Sequence, residues 1–193
     1  MSIDRLHEEV YIINNFLLPE ELKDIYKMID EASENDWFNE NSKIKYHLSD
    51  FWFGKSLMPD FDKTNIFETI NQKIYSLFDS YFDNSNKLHL KRYLNGDFIN
   101  YHSDRSDYSI GNSGQNIAYG VCLYYNDDYL GGELHYPDLD IISKPIANSL
   151  YIHSGKTIHG SLPVIGNIPR YFSTSFIYET SSIPAILNKE LFK

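Results

Sequence analysis

The chain has 193 residues, 42% of them hydrophobic and 16% aromatic, which is enough apolar side chain to bury a substantial core within one domain. Its 27 acidic against 17 basic residues give a formal charge of −10, which repels phosphate backbones, so no nucleic-acid partner is expected. Cys122 is the only cysteine, which excludes an internal disulfide and a thiolate metal cage and suits a reducing, cytoplasmic setting.

The N-terminus carries Asp4, Arg5, His7, Glu8 and Glu9 and lacks the apolar run of a signal peptide, and no stretch approaches the roughly 20 apolar residues that span a bilayer. The chain therefore reads as soluble, with no membrane association. Residues 10–16 are β-leaning. Pro19, Glu20 and Glu21 then look like a helix entry, and Leu22, Ile25, Tyr26, Ile29 and Ala32 recur at helical spacing, which predicts a helix over 20–33. Residues 35–59 are aromatic and irregular and are expected to hold a strand or two. Thr64 is expected to cap a second helix in which Ile66, Phe67, Ile70, Ile74, Leu77, Phe78 and Tyr81 share a face, ending in the turn residues 83–86.

After Lys87 the texture changes to short β-rich runs separated by turn residues, with strands expected at 88–94, 98–101, 117–125, 132–136, 148–153 and 171–178. That spacing fits an antiparallel barrel or a double-sheet jelly roll, with the two helices as its support. Residues 109–115, rich in Ser, Gly and Asn, are flexible by composition and form a candidate lid. The tail from residue 183 is expected to form a short helix. Nothing marks an internal repeat or a linker, so the whole of 1–193 is expected to be a single domain, with a helical support region over 1–86 and the β core over 87–180.

His102-Ser103-Asp104 places an imidazole and a carboxylate two apart on an extended segment, and such residues point to the same side. By itself the pair is as compatible with a surface turn as with a metal site. His159 adds a second imidazole, and two imidazoles with one carboxylate on one face leave about three positions of an octahedral Fe(II) open, as a chelating cosubstrate and dioxygen require. Arg170, on the strand that follows His159, can reach the back of the same cavity and grip a carboxylate with two parallel hydrogen bonds. Other histidines read differently. His135 follows a Gly-Gly turn and reads as a strand position, His153 as a barrel-wall residue, and His47 and His89 have no metal-like neighbours in sequence. Gly131 and Gly132 read as a turn or a close backbone approach. Arg105 and Asp107 beside the metal motif read equally as substrate contacts or a solvated turn, while Lys87, Lys91 and Arg92 make a basic cluster too small to override the net charge.

These motifs fall in an order that resembles the 2-oxoglutarate- and Fe(II)-dependent dioxygenases, and within them the prolyl 4-hydroxylase-like branch. The similar text runs through Arg92-Tyr-Leu-Asn-Gly96-Asp-Phe-Ile-Asn-Tyr-His102-Ser-Asp104, Cys122-Leu-Tyr-Tyr-Asn-Asp127, Gly131-Gly132-Glu-Leu-His-Tyr-Pro137 and His159-Gly-Ser-Leu-Pro163-Val on to Arg170. The resemblance implies a mainly β fold with supporting α-helices, built on a double-stranded β-helix core of the cupin-like jelly-roll kind. It implies that His102, Asp104 and His159 ligate Fe(II), that Arg170 pairs with the distal carboxylate of 2-oxoglutarate, and that Tyr93 and Tyr124 line the cosubstrate site. The implied reaction consumes O2 and 2-oxoglutarate, releases succinate and CO2, and hydroxylates a substrate, with ascorbate as an accessory reductant. Asp104 occupies the position that related halogenases leave without a carboxylate, which implies hydroxylation. Nucleobase-repair members carry a second arginine shortly after the cosubstrate arginine, and none follows Arg170 here. The final strand has Phe176 and Tyr178 where prolyl hydroxylases often show tryptophan. The expected substrate is a prolyl residue of a peptide or protein. A free amino acid or another small molecule, and a non-enzymatic cupin-like metal or ligand binder, are the alternatives.

Overall fold

The computed structural model describes residues 2–39, 54–83, 88–105 and 116–192. In chain order the first half contributes β1 (Ser2–His7), β2 (Val10–Asn14), α1 (Pro19–Glu31), β3 (Trp37–Asn39), β4 (Lys55–Leu57), α2 (Ile66–Tyr75) and β5 (Phe78–Ser80). The second half contributes β6 (Lys91–Tyr93), β7 (Ile99–His102), β8 (Asn116–Tyr124), β9 (Leu130–Gly131), β10 (Leu134–Tyr136), β11 (Ile141–Ser143), β12 (Ser149–Ser154), β13 (His159–Ser161), β14 (Val164–Ile165), β15 (Arg170–Glu179) and β16 (Ile186–Leu187).

Among the described residues the strands form an eight-stranded sheet, β1-β2-β12-β8-β15-β6-β4-β3, and a four-stranded sheet, β11-β10-β13-β7, with two short ribbons, β14-β9 and β16-β5. Every pairing within them is antiparallel. Two apolar clusters follow from the alternation of side chains along the large sheet. One face, with Val121, Leu123, Ile152 and Ile177, packs on Ile25 of α1 and on Ile70 and Ile74 of α2. The other face, with Tyr124, Tyr151 and Phe172, meets Leu134 and Tyr136 of the smaller sheet. The fold is thus mainly β, a jelly-roll core of two sheets closing on an interior, with both helices laid on the outside of the larger one. No described helix is long and apolar enough to cross a membrane.

Local chemistry explains where the helices begin and end. Pro19 opens α1, and the Glu21 carboxylate accepts from the Leu18 N–H at 2.7 Å while also pairing with Lys73 of α2 at 2.6 Å, so one side chain caps α1 and ties the two helices together. Thr64 does not cap α2. Asn65 occupies that position with φ 54°, and the Asp62 carboxylate accepts from the first N–H groups of the helix, those of Ile66 and Phe67, at 2.8 and 3.1 Å. Asp62→Ala is therefore expected to lower stability by about 1 kcal/mol, the usual cost of losing such a cap, as a shift in the denaturant midpoint at unchanged slope. The second helix is also shorter than its apolar spacing predicts. Phe78, expected on the helix, begins β5, which pairs with β16 of the tail. The tail itself forms that strand and then a 3-10 turn, Lys189–Phe192.

The first 86 residues do more than support the core. β1 and β2 extend the large sheet beyond β12, and β3 and β4 extend its opposite edge. Arg92 leaves the expected basic cluster altogether: it is buried, lies over the Trp37 ring at 4.3 Å and forks onto the Glu34 carboxylate at 2.9 and 2.6 Å. The expected turn at 83–86 is described only at Asp83, and His47 and the candidate lid at 109–115 lie outside the described residues.

Candidate active site

The site begins with a register irregularity. His159 of β13 pairs with His102 of β7, yet two residues along, Ser161 pairs with Ile99, three residues away. The extra residue is a β-bulge, and it decides which way His102 faces. Strict alternation would send Ile99 and Tyr101 inward and His102 out. The bulge lets both Ile99 and His102 point into the interior, while Tyr101 turns outward to 51% exposure. Gly160, opposite the bulge, has no side chain to obstruct it: a Cβ there would meet the Ile99 carbonyl and the Tyr101 ring at 2.9 Å.

Each imidazole is then oriented by its own strand. His102 Nδ1 lies 2.8 Å from the Asn100 carbonyl and His159 Nδ1 lies 3.0 Å from the Thr157 carbonyl. A carbonyl only accepts, so each Nδ1 carries the hydrogen and each Nε2 presents a lone pair. Both Nε2 atoms approach the same carboxylate oxygen, Asp104 Oδ1, at 3.5 and 3.9 Å. His102, Asp104 and His159 each offer one donor atom, all within 4.8 Å of one another. Three lone-pair donors converging without protons between them repel one another, and a cation resolves that repulsion.

The electrostatics favour the ligand forms. Burial alone would raise the Asp104 carboxyl, but its contact with His102, the hydrogen bond from His153 and the nearby imidazoles of His153 and His159 hold it well below the usual carboxylate range. Burial, reinforced by the neighbouring His153, pushes His159 down to about 3, so its ring is neutral at physiological pH. Metal binding here need displace no proton from either group.

Arg170 opens β15 opposite Tyr93 of β6 and is 2% exposed. Its Nη1 donates to the Gly132 carbonyl at 2.7 Å, and its guanidinium lies over Tyr93, Phe172 and Tyr124 at 4.6, 4.7 and 5.4 Å. Gly132 reaches this position with φ +66°, in the left-handed region that glycine favours. Two other arginines in the fold meet acids: Arg92 has Glu34 and Arg105 has Glu179. Arg170 is the contrast, a buried cation with no carboxylate within 4.0 Å among the described residues, and its Nε and the nearby Tyr129 hydroxyl are buried without a hydrogen-bond partner. Acceptor and donor atoms of a bound molecule would satisfy both.

A single strand links the two ends. The inward positions of β8 are Gly120, Cys122 and Tyr124: Gly120 lies beneath Asp104, and Tyr124 packs at Arg170. Four residues of strand separate these ends by roughly 13 Å. Sequence reasoning brought forward His102, Asp104, His159, Arg170, Tyr93 and Tyr124, and the structure gathers them around this one interior. It passed over His153 and Gly120, which touch Asp104, because neither stands in a motif. His135 lies on the outside, where its Nδ1 meets the Tyr101 hydroxyl at 2.6 Å. Two surface clefts, of about 200 and 160 Å³, are lined by residues outside this group, such as Phe61 and His89 in one and Glu8 and Lys156 in the other.

No protein-family model matches the sequence, and no curated protein matches it. Solved structures do match. A prolyl hydroxylase from Trichoplax adhaerens, in complex with a peptide fragment of the hypoxia-inducible factor oxygen degradation domain, is similar with a TM-score of 0.67 and 16% identity, over 88% of this chain and 83% of that one. A Pseudomonas putida prolyl-4-hydroxylase is similar with a TM-score of 0.61 and 16% identity, over 88% and 91% of the two chains. A viral collagen prolyl hydroxylase from Paramecium bursaria chlorella virus 1, solved with 2-oxoglutarate, has a TM-score of 0.56 and 17% identity over 90% and 97%. At these identities the likeness is one of fold.

Proposed function

We propose that this chain is a 2-oxoglutarate- and Fe(II)-dependent dioxygenase that hydroxylates a prolyl residue in a peptide or protein. The observation that carries the reading is the pairing, in one interior, of a proton-free His102/Asp104/His159 face with a buried arginine that has no carboxylate partner among the described residues. The first suits a divalent metal with open positions, and the second suits the far end of a small diacid that chelates that metal.

In this reading the Nε2 atoms of His102 and His159 and Oδ1 of Asp104 hold the metal, and Arg170 grips the distal carboxylate of 2-oxoglutarate. Tyr93 and Tyr124 flank the guanidinium with their rings and keep water from it, which strengthens the ion pair in a low-dielectric setting. Fe(II) with 2-oxoglutarate and O2 supplies the oxidising power, so that one oxygen atom enters succinate as CO2 is lost and the other enters the substrate C–H bond. The protein positions the donors and the diacid and excludes solvent. A prolyl substrate is supported by the three solved structures named above, all of prolyl hydroxylases and one of them with a bound peptide. The lone cysteine supports a reducing, cytoplasmic setting.

The test is anaerobic titration of the protein with Fe(II) and 2-oxoglutarate, followed by succinate release in air with proline-containing peptides and with free proline. A visible metal-to-cosubstrate charge-transfer band is expected in the wild type and is expected to vanish in Asp104→Ala, with succinate release falling by at least about 10²-fold. No band in the wild type would overturn the dioxygenase reading. Stimulation by free proline but not by peptides would redirect the substrate to a small molecule.

A further inference from the structure

We propose that His153 is a positioning residue that keeps the Asp104 carboxylate monodentate and so preserves an open place on the metal. The inference rests on the dioxygenase reading and deepens it. Asp104 has two oxygens with different surroundings. Oδ1 faces Nε2 of His102 and His159, whereas Oδ2 lies 3.0 Å from Nε2 of His153. An ionised carboxylate only accepts, so the hydrogen sits on His153 Nε2, and its Nδ1 is left to accept from the Tyr136 hydroxyl, 3.5 Å away. His153 is 2% exposed, and this arrangement is what satisfies its ring nitrogens.

The neighbouring strand is shaped around this pair. Gly120 of β8 stands opposite His153 of β12 in the sheet register, and a Cβ on Gly120 would collide with both Asp104 Oδ2 and His153 Nε2. A histidine that only filled the barrel wall would not require an empty position beside its nitrogen and the carboxylate together. His153 also stands outside the set of donor atoms that lie within 4.8 Å of one another, so its ring acts through Asp104.

The consequence follows from carboxylate chemistry. An unrestrained carboxylate can swing both oxygens onto a metal and occupy a position that the three-ligand face leaves open for a chelating diacid and dioxygen. The N–H of His153 engages Oδ2 and leaves Oδ1 forward. Such outer partners typically contribute 10- to 100-fold in metal affinity.

The experiment is calorimetric titration of the purified protein with Co(II) alone, with the Co(II) absorption spectrum recorded at saturation and cooperative unfolding checked for each variant. His153→Leu removes the donor and is expected to weaken binding by about 10- to 100-fold. His153→Gln carries an amide N–H at similar reach and is expected to recover most of the affinity, while the shorter His153→Asn is not. That Gln/Asn contrast decides the matter even where His153→Leu fails to fold. Equal affinity in wild type, Gln and Asn variants overturns the positioning role alone. A loss of nitrogen ligation in the saturated His153→Leu spectrum also overturns it, because His153 would then be a ligand. A wild-type protein that binds no Co(II) overturns this role and the dioxygenase reading together.

Discussion

Replacing Arg170 by alanine is expected to leave divalent-metal binding nearly unchanged and to weaken 2-oxoglutarate binding by more than about a hundredfold. The proposed metal donors belong to β7, β13 and the bend after β7, none of which Arg170 touches with a hydrogen bond. The cosubstrate carboxylate, by contrast, would enter a pocket walled by Tyr93, Tyr124 and Phe172 with no cation to meet it, and an uncompensated buried charge costs about 3–5 kcal/mol. The effect on folding has a different sign of argument. In the unliganded protein Arg170 is itself a buried charge with one carbonyl and aromatic faces for compensation, so its removal relieves a desolvation cost while leaving a cavity. Stability without ligand should therefore move little. The stabilisation from saturating cosubstrate, about 2.7 kcal/mol at a hundredfold excess over the dissociation constant, should disappear from the thermal transition. Unchanged 2-oxoglutarate binding in this variant would favour a cupin-like binder that needs no arginine.

Gly120→Ala is expected to be the most damaging single methyl in the molecule for the metal site. The added Cβ has no room between Asp104 Oδ2 and His153 Nε2, whose side chains are only 7% and 2% exposed. Overpacking of this kind costs about 1–3 kcal/mol of stability. The carboxylate is the more movable partner, and its displacement carries Oδ1 away from His102 and His159, so metal affinity should fall at least about tenfold. Denaturant unfolding and Co(II) titration measure the two losses separately. An alanine variant with wild-type metal affinity would show that the strand can shift to accept the methyl.

The strand pattern of the second half was legible because period-two alternation and turn residues report directly on a sheet whose two faces meet different apolar clusters. Helix α1 was legible from Pro19 and the spacing of its apolar face. Helix α2 was overextended, since Leu77 and Phe78 continue an apolar pattern that serves a helix and a strand equally well, and only pairing with a tail far away in sequence decides between them. The same limit hid β1, whose charged residues look like a solvated terminus but pair with β2 along its length. In the candidate site, residues in motifs were visible and residues defined by register were not. His153 reads as a wall residue until β12 is laid against β8, and Gly120 has no side chain to attract notice.

The bulge between Ile99 and His102 makes the site depend on counting as well as on chemistry. A chain with every proposed ligand and the same spacing from Ile99 to His102, but with β7 in strict alternation against β13, would turn the His102 imidazole to solvent without any change of ligand identity. The bulge in β7 is therefore as much a part of the centre as His102 itself, and a comparison of related chains that scores only matching residues would miss it.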